Sequence, residues 1–196
     1  MAQSTTGICN RALQMVGASQ QILNLTDNTR EARALTRAYE PCRRSELRSH
    51  VWNFAIRRQR LAMSVDTPAF GPMFQFPLPV DCLRVLVPKG ASCHWAVEGR
   101  NVVSDDVSPI DVRYVADIED PTQFDAMFCE MLSLRIAVAI VEDITGSNTK
   151  KAGLEQDYMA LVRDARQVDA LEGRPQTAEE SGWVTARSSS SASDWG

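Results

Sequence analysis

The sequence predicts an α+β protein, mainly α-helical, in which a small antiparallel β-region is inserted into an antiparallel helical bundle. Apolar residues recur at helical spacing near the start of the chain and again after residue 117, whereas the stretch between is rich in proline and short β-branched runs. We therefore expect a helical domain over 1–62 and 117–173, a β-region over 63–116, and an extended, flexible C-terminal tail over 174–196.

The first helical block contains two predicted helices. Apolar spacing predicts a helix over about 5–17 that stops at Gly17. A second helix is expected to start at Asn28, because Asn28 and Glu31 have the spacing of a capping box. Pro41 lies inside the second pattern and lacks the N–H that would bond to the preceding turn, which predicts a kink or a break there.

The β-region is predicted as one small antiparallel sheet. Its expected strands are Leu83–Val87, Trp95–Val97, Val102–Val103 and Val112–Val115. Glu98-Gly99-Arg100-Asn101 has the composition of a hairpin turn.

The second helical block is predicted to hold two antiparallel helices joined by a tight turn. Asp120-Pro121 has the form of an N-cap followed by proline at the first helical position. Gly146 is expected to end that helix, and a last helix follows over about 148–171 with Gly173 as its stop.

Composition points to an ordinary globular protein rather than to a nucleic-acid binder or a membrane protein. Net charge is −4, with 44% hydrophobic and 23% charged residues, so there is no basic excess. The longest unbroken apolar run, Ile136–Val141, is too short to span a bilayer, and we expect no signal peptide. The five cysteines are an odd number without CxxC spacing, which favours free buried thiols in a reducing cytoplasm.

Catalytic patterns are missing from the sequence. It contains no phosphate-binding glycine loop, no GxSxG elbow and no HExxH zinc motif. Asp105 and Asp106 are interpreted as solvated acids at a turn, and Cys9 and Cys42 as core thiols rather than nucleophiles. We therefore expect no catalytic residue, no cofactor and no metal site, and a protein that is not an enzyme.

A cluster of arginines is the one charged feature that stands out. Nucleic-acid contact is one interpretation of this cluster. The sequence favours a solvated or inter-subunit face that pairs with acids on a neighbour, because 25 acidic residues outnumber 21 basic ones. Arg43, Arg44, Arg57 and Arg58 are the interface candidates. The full cluster is Arg30, Arg33, Arg37, Arg43, Arg44, Arg48, Arg57, Arg58 and Arg60.

Four aromatic residues are predicted to act as anchors. Trp52 and Phe54 are expected to pack at the junction between the helices and the β-region. Trp183 and Trp195 stand in the polar tail. Large aromatic side chains bury much area with few rotatable bonds, which makes these two tryptophans interface candidates.

Several short elements also occur in a characteristic order along residues 8–172. They are Asn10–Ala18, Ile22–Asp27, Ala32–Pro41 with Arg43–Leu47, Trp52-Asn53-Phe54-Ala55, Phe76–Val85, Val112–Val115, and Asp120-Pro121 followed by Phe124-Asp125. Taken together, these elements resemble the tail tubular protein A family, the adaptor or gatekeeper-ring proteins of short-tailed bacteriophages. The residues after Gly173 do not resemble this family.

The resemblance implies a helical bundle with an inserted β-region that assembles as a twelve-subunit ring. Such a ring forms in the host bacterial cytoplasm and binds under the portal protein in the virion. It would carry tail nozzle and fibre proteins, and it would extend a channel through which viral DNA passes without sequence-specific binding.

Three other interpretations stay open. A head-completion adaptor of a long-tailed phage can share the helical core. A cellular nucleic-acid-binding module could use the arginine-rich second helix. An enzyme of unknown type is the third.

Overall fold

A computed structural model describes residues 4–86, 95–105 and 109–172, with side chains up to Gln167. The described α-helices are α1 (Thr5–Val16), α2 (Arg30–Ser49), α3 (Ala126–Thr145) and α4 (Asn148–Glu172). The described strands are β1 (Ile56–Leu61), β2 (Phe74–Pro77), β3 (Cys82–Val85), β4 (Trp95–Glu98), β5 (Asn101–Ser104) and β6 (Ile110–Ala116). The predicted α+β class is confirmed, whereas the predicted tail, 174–196, lies outside the described residues.

Local capping chemistry sets the ends of the first and third helices. The Ser4 hydroxyl accepts a hydrogen bond from the first turn of α1, and the Asp125 carboxylate does the same for α3. Gly17 and Gly146 end these helices in the left-handed conformation, with φ of 73° and 67°. Both glycine stops are confirmed.

The second helix differs from the sequence prediction in two respects. Its N-cap is Thr29 rather than Asn28, since the Thr29 hydroxyl accepts the first-turn hydrogen bond. The helix also continues through Pro41, so the predicted break is wrong. Pro41 faces solvent, where water can bond the carbonyl that it leaves free, while Tyr39 and Cys42 beside it are buried. Packing of the buried face thus keeps the helix continuous.

The third helix starts later than predicted. Asp120-Pro121 begins a short 3-10 turn, Pro121–Gln123, in which the Asp120 side chain caps Thr122. The chain then leaves the helical conformation and re-enters it at Ala126, after the extended N-cap Asp125. The proline signal was correct for a helical first turn, but that turn does not continue into α3.

Helix α3 is the centre of the core, and the other three helices each pack against it. Polar contacts fix their directions. Arg11 of α1 bonds Glu130, and the Ser133 hydroxyl donates to the Ile8 carbonyl, so α1 runs opposite to α3. Lys151 of α4 bonds Glu142 at the other end of α3.

A buried carboxylate joins α2, α3 and α4. Glu46 of α2 is almost fully buried and accepts a 2.6 Å hydrogen bond from the Tyr158 hydroxyl of α4. Arg135 of α3 lies 3.6 Å from Glu46 and stacks over the Tyr158 ring. Burial and the hydrogen bond to Glu46 raise the pKa of the Tyr158 phenol, so it remains a donor to this carboxylate at neutral pH. Together with the Arg37–Asp143 pair, these contacts make α2 antiparallel to α3 and parallel to α4.

The strands form two three-stranded antiparallel sheets rather than one. The first has the order β1-β6-β3 and the second has the order β2-β5-β4. The hairpin predicted at Glu98–Asn101 is confirmed, with Gly99 at a φ of 58°. Strands β1 and β2 were not predicted, and β1 begins at Ile56, before the expected start of the β-region at residue 63.

An aromatic cluster joins the helices to the first sheet. Trp52, between α2 and β1, is 1% exposed, and its indole N–H donates to the Glu46 carbonyl at 3.1 Å. Its ring meets the Phe128 ring of α3 edge-on at 5.3 Å, and Phe54 contacts the rings of Trp52, Phe124 and Phe128. The contacts place β1 at a fixed position against α3.

We predict that replacing Trp52 with alanine lowers the free energy of unfolding by about 3–5 kcal/mol, because it opens a large cavity among these rings. Trp52→Phe, which keeps an aromatic ring, should cost less. Denaturant unfolding followed by circular dichroism measures both variants. An unchanged midpoint for Trp52→Ala would contradict the role given to this cluster.

Candidate functional site

Three of the six arginines of α2 pair with acids of the same chain. Arg37 pairs with Asp143 at 3.1 Å, and Arg30 donates to the carbonyl of Asp143. Arg44 pairs with Asp117 at 3.0 Å while more than half of its side chain stays exposed. The pairing that the sequence assigned to a neighbouring subunit is therefore, for these residues, made within the subunit.

Arg43 is an internal residue, which corrects its interpretation as an interface candidate. Its side chain is 1% exposed. The guanidinium bonds Asp117 at 2.5 Å, Glu40 at 2.7 Å and the carbonyl of Ile118. A guanidinium keeps its charge at any accessible pH, so burying it requires these acceptors. Arg43 thus holds α2 against the segment that follows β6, and it is not available to a partner.

The arginines of β1 lie on the surface of the first sheet. Arg57 pairs with Asp81 at 2.8 Å, and Arg60 pairs with Asp111 at 2.7 Å. Arg58 is exposed and lies directly opposite Arg113 of β6, so two like charges share one face of the sheet. None of the described acidic residues pairs with Arg58. Of the four arginine candidates, Arg58 is the one without an internal partner in the described structure.

The segment 63–80, which leads from β1 to β3, contains several exposed apolar side chains. Val65 is 99% exposed, Phe70 91% and Met73 66%, and Val80 is almost fully exposed as well. We call the loop between β1 and β2, residues 62–73, the apolar loop. Large exposed apolar side chains mark protein-binding surfaces when they form a patch, and the apolar loop carries three within nine residues, so it is the best candidate interface of the described residues.

Sequence reasoning did not identify the apolar loop. Its signal was available, because Val65, Phe70 and Met73 stand among prolines and glycine in a stretch without helical or strand periodicity. Without such periodicity, the apolar side chains do not line up on one side of a helix or strand that could be buried in a core. Trp183 and Trp195, the aromatic residues that the sequence favoured instead, lie outside the described residues.

The thiols considered as nucleophiles are buried. Burial raises the pKa of Cys9 to about 12, and it raises the pKa of Cys42 as well. Both therefore remain protonated at neutral pH. Within the described residues, no group of histidine, cysteine, aspartate and glutamate side chains has the arrangement of a metal site. Cys93 and His94 lie outside those residues.

Comparison with protein-family models matches no family, and comparison with the curated proteins gives no match either. None of the helices in the described part of the chain combines the length and the apolarity that crossing a membrane requires.

We predict that Asp117→Asn lowers the free energy of unfolding by about 3–5 kcal/mol, because it leaves the buried guanidinium of Arg43 short of a counter-ion. The matched control is Asp143→Asn, which breaks the exposed pair with Arg37 and should cost at most about 1 kcal/mol. Denaturant unfolding of both variants gives the comparison. Equal effects would mean that the Arg43 pair is no more important than a surface pair.

A second prediction concerns the thiols. In a Cys93→Ser variant, Ellman's reagent at pH 8 should label the folded protein slowly and label four thiols once guanidinium unfolds it, because Cys9, Cys42, Cys82 and Cys129 are all buried. Fast labelling of one thiol in the folded state would reveal an accessible, activated cysteine and contradict the assignment to the core.

Proposed function

We propose that the protein is a ring-forming adaptor subunit that joins the portal of a short-tailed bacteriophage to its tail nozzle and continues the DNA channel. The observation that supports this proposal most directly is the apolar loop, whose exposed apolar side chains extend from a subunit of packed helices and sheets. The order of short elements, which resembles that of the tail tubular protein A family, supports the same function. Helices α1, α2 and α4 around α3 are compatible with the helical bundle expected of that family.

A ring needs a heterologous interface, in which one surface of a subunit binds a different surface of the next. The apolar loop is suited to be one of these surfaces. Covering a side chain such as Phe70 stabilises an interface by roughly 1.5–3 kcal/mol, so the loop can supply much of the driving force for association. The buried contacts of Trp52 and Arg43 hold the rest of the subunit in place, so binding need not reorganise it.

The charge distribution is compatible with a channel. A passage for DNA must let the phosphates slide, and a strongly basic wall would retain them. Acids of the same chain offset Arg37 and Arg44 on α2, and net charge is −4. This pairing also disfavours α2 as a nucleic-acid-binding element.

The arginine pair of the first sheet favours a second candidate, a nucleic-acid-binding module. Arg58 and Arg113 lie side by side without an acidic partner among the described residues, as phosphate-contacting residues do. Binding of short duplex DNA that weakens steeply with salt, and is lost in Arg58→Ala, would support this candidate. Absence of binding at low salt would remove it.

We predict that the isolated protein forms small species and assembles into a large complex when the portal protein of the same genome is added. Phe70→Ser should reduce this assembly without changing the thermal midpoint, because Phe70 is exposed in the subunit and covered in the ring. Mass photometry of the mixtures measures both. The control is Leu23→Ser, an equally exposed apolar residue, 84% accessible, in the loop between α1 and α2.

Two outcomes would overturn this proposal. One is a Phe70→Ser variant that assembles as well as the unmodified chain. The other is an unmodified chain that forms no complex with the portal protein at any concentration.

A further inference from the structure

A cavity of about 230 Å³ lies between the C-terminal end of α2, strand β3 and the hairpin of β4 and β5. Three arginines line it: Arg48 from α2, Arg84 from β3 and Arg100 from the hairpin turn. Apolar side chains, including Leu78, Val85 and Val97, form much of the remaining wall. No aspartate or glutamate is among the described residues that line it, so we call it the arginine pocket.

The charges of the arginine pocket are not neutralised by the described residues that surround it. Arg48 donates to the carbonyl of Leu83, and Arg100 donates to that of Cys82 at 3.0 Å and to those of Pro79 and Val80. These acceptors are neutral, so they orient the guanidinium groups without cancelling their charge.

Nearby carboxylates do not supply the missing charge. Arg84 pairs with none of the described acidic side chains. Asp81, next to β3, is already held by Arg57 at 2.8 Å and by the Tyr114 hydroxyl at 3.1 Å. Three cations thus converge on one cavity and favour an anionic group there.

The shape and lining of the pocket indicate the kind of anion. Its volume is that of one or two side chains. A free oxyanion or the polar sugar–phosphate backbone of DNA would make no favourable contact with its apolar wall. A peptide that presents a carboxylate together with an apolar side chain satisfies both the arginines and the wall. The expected ligand is therefore an acidic, aromatic-containing peptide segment.

The chain itself carries such a segment at Ala178-Glu179-Glu180-Ser181-Gly182-Trp183. Helix α4 passes the end of α2 at which the pocket lies. It runs parallel to α2, with Tyr158 beside Glu46, and it continues to Glu172, well past the end of α2 that carries Arg48. Glu179 follows Glu172 by seven residues, which can span up to about 25 Å.

We propose that residues 178–183 dock in the arginine pocket, with Glu179 and Glu180 facing Arg48, Arg84 and Arg100 and with Trp183 against the apolar wall. This assignment does not depend on the adaptor function. It gives the pocket its counter-ions and gives Trp183 a surface to cover its ring.

The test is ¹⁹F nuclear magnetic resonance of the full chain containing 5-fluorotryptophan, with the Trp183 signal identified by Trp183→Phe. We expect this signal to lie away from its position in a free peptide of residues 176–186. It should move to the free position in Arg84→Glu and, separately, in a Glu179→Gln, Glu180→Gln variant whose changes lie outside the described residues. Arg58→Glu, an arginine of the same sheet outside the pocket, should leave the signal unchanged.

A combined Arg84→Glu, Glu179→Lys, Glu180→Lys variant should restore the displaced signal, because it exchanges the charges of the two partners. The displaced signal should persist on dilution, because the segment belongs to the same chain. Its loss on dilution would mean that a second copy supplies the segment and would contradict the proposal. A Trp183 signal at the free-peptide position in the unmodified protein would overturn the proposal. So would a displaced signal that persists in Arg84→Glu, or a pocket that takes inorganic phosphate with no change at Trp183.

Discussion

The buried guanidinium of Arg43 is the constraint on which the rest of the structure depends. A charge inside a protein must be matched within hydrogen-bonding distance, and Glu40 of the same helix supplies one acceptor while Asp117 and the carbonyl of Ile118 supply the others from outside α2. These two acceptors follow directly after β6, the central strand of the first sheet. Satisfying one side chain of α2 therefore fixes where the sheet lies relative to the helices.

The aromatic cluster completes that placement from the other side. Arg43 holds the chain where it leaves the first sheet, and Trp52 and Phe54 hold it where it enters. Both ends of the β-region are thereby attached to α2 and α3. Because the helices and the first sheet are held together in this way, the apolar loop and the arginine pocket can stay exposed to solvent. A subunit that binds partners requires such exposed binding surfaces on a rigid support.

Much of the helical part follows from local sequence, whereas the contacts that organise the molecule do not. Gly17 and Gly146 could be predicted as helix stops because a left-handed terminal residue is a local requirement. The break considered at Pro41 does not occur, because the buried face of α2 outweighs one missing hydrogen bond. Strand β1 was missed because its sequence, Ile-Arg-Arg-Gln-Arg-Leu, shows no alternation of apolar and polar residues.

The candidate site was less predictable than the fold. The arginine cluster was visible in the sequence, but Arg43 and Asp117 are 74 positions apart, and no local pattern relates them. Sequence alone could not separate the one buried arginine from its exposed neighbours. The arginine pocket brings Arg48, Arg84 and Arg100 together from three separate elements, so it exists only once the sheets are placed against α2.

Native-state hydrogen exchange tests most directly whether the helices and the first sheet form one cooperative unit. If Arg43 and the aromatic cluster bind them together, the slowest amides of β6, such as that of Val115, should exchange with the same opening free energy as those of α3, such as that of Ile136. An opening free energy for β6 that is smaller than that of α3 by more than about 2 kcal/mol would contradict the account, because the sheet would then unfold while the helices stay folded.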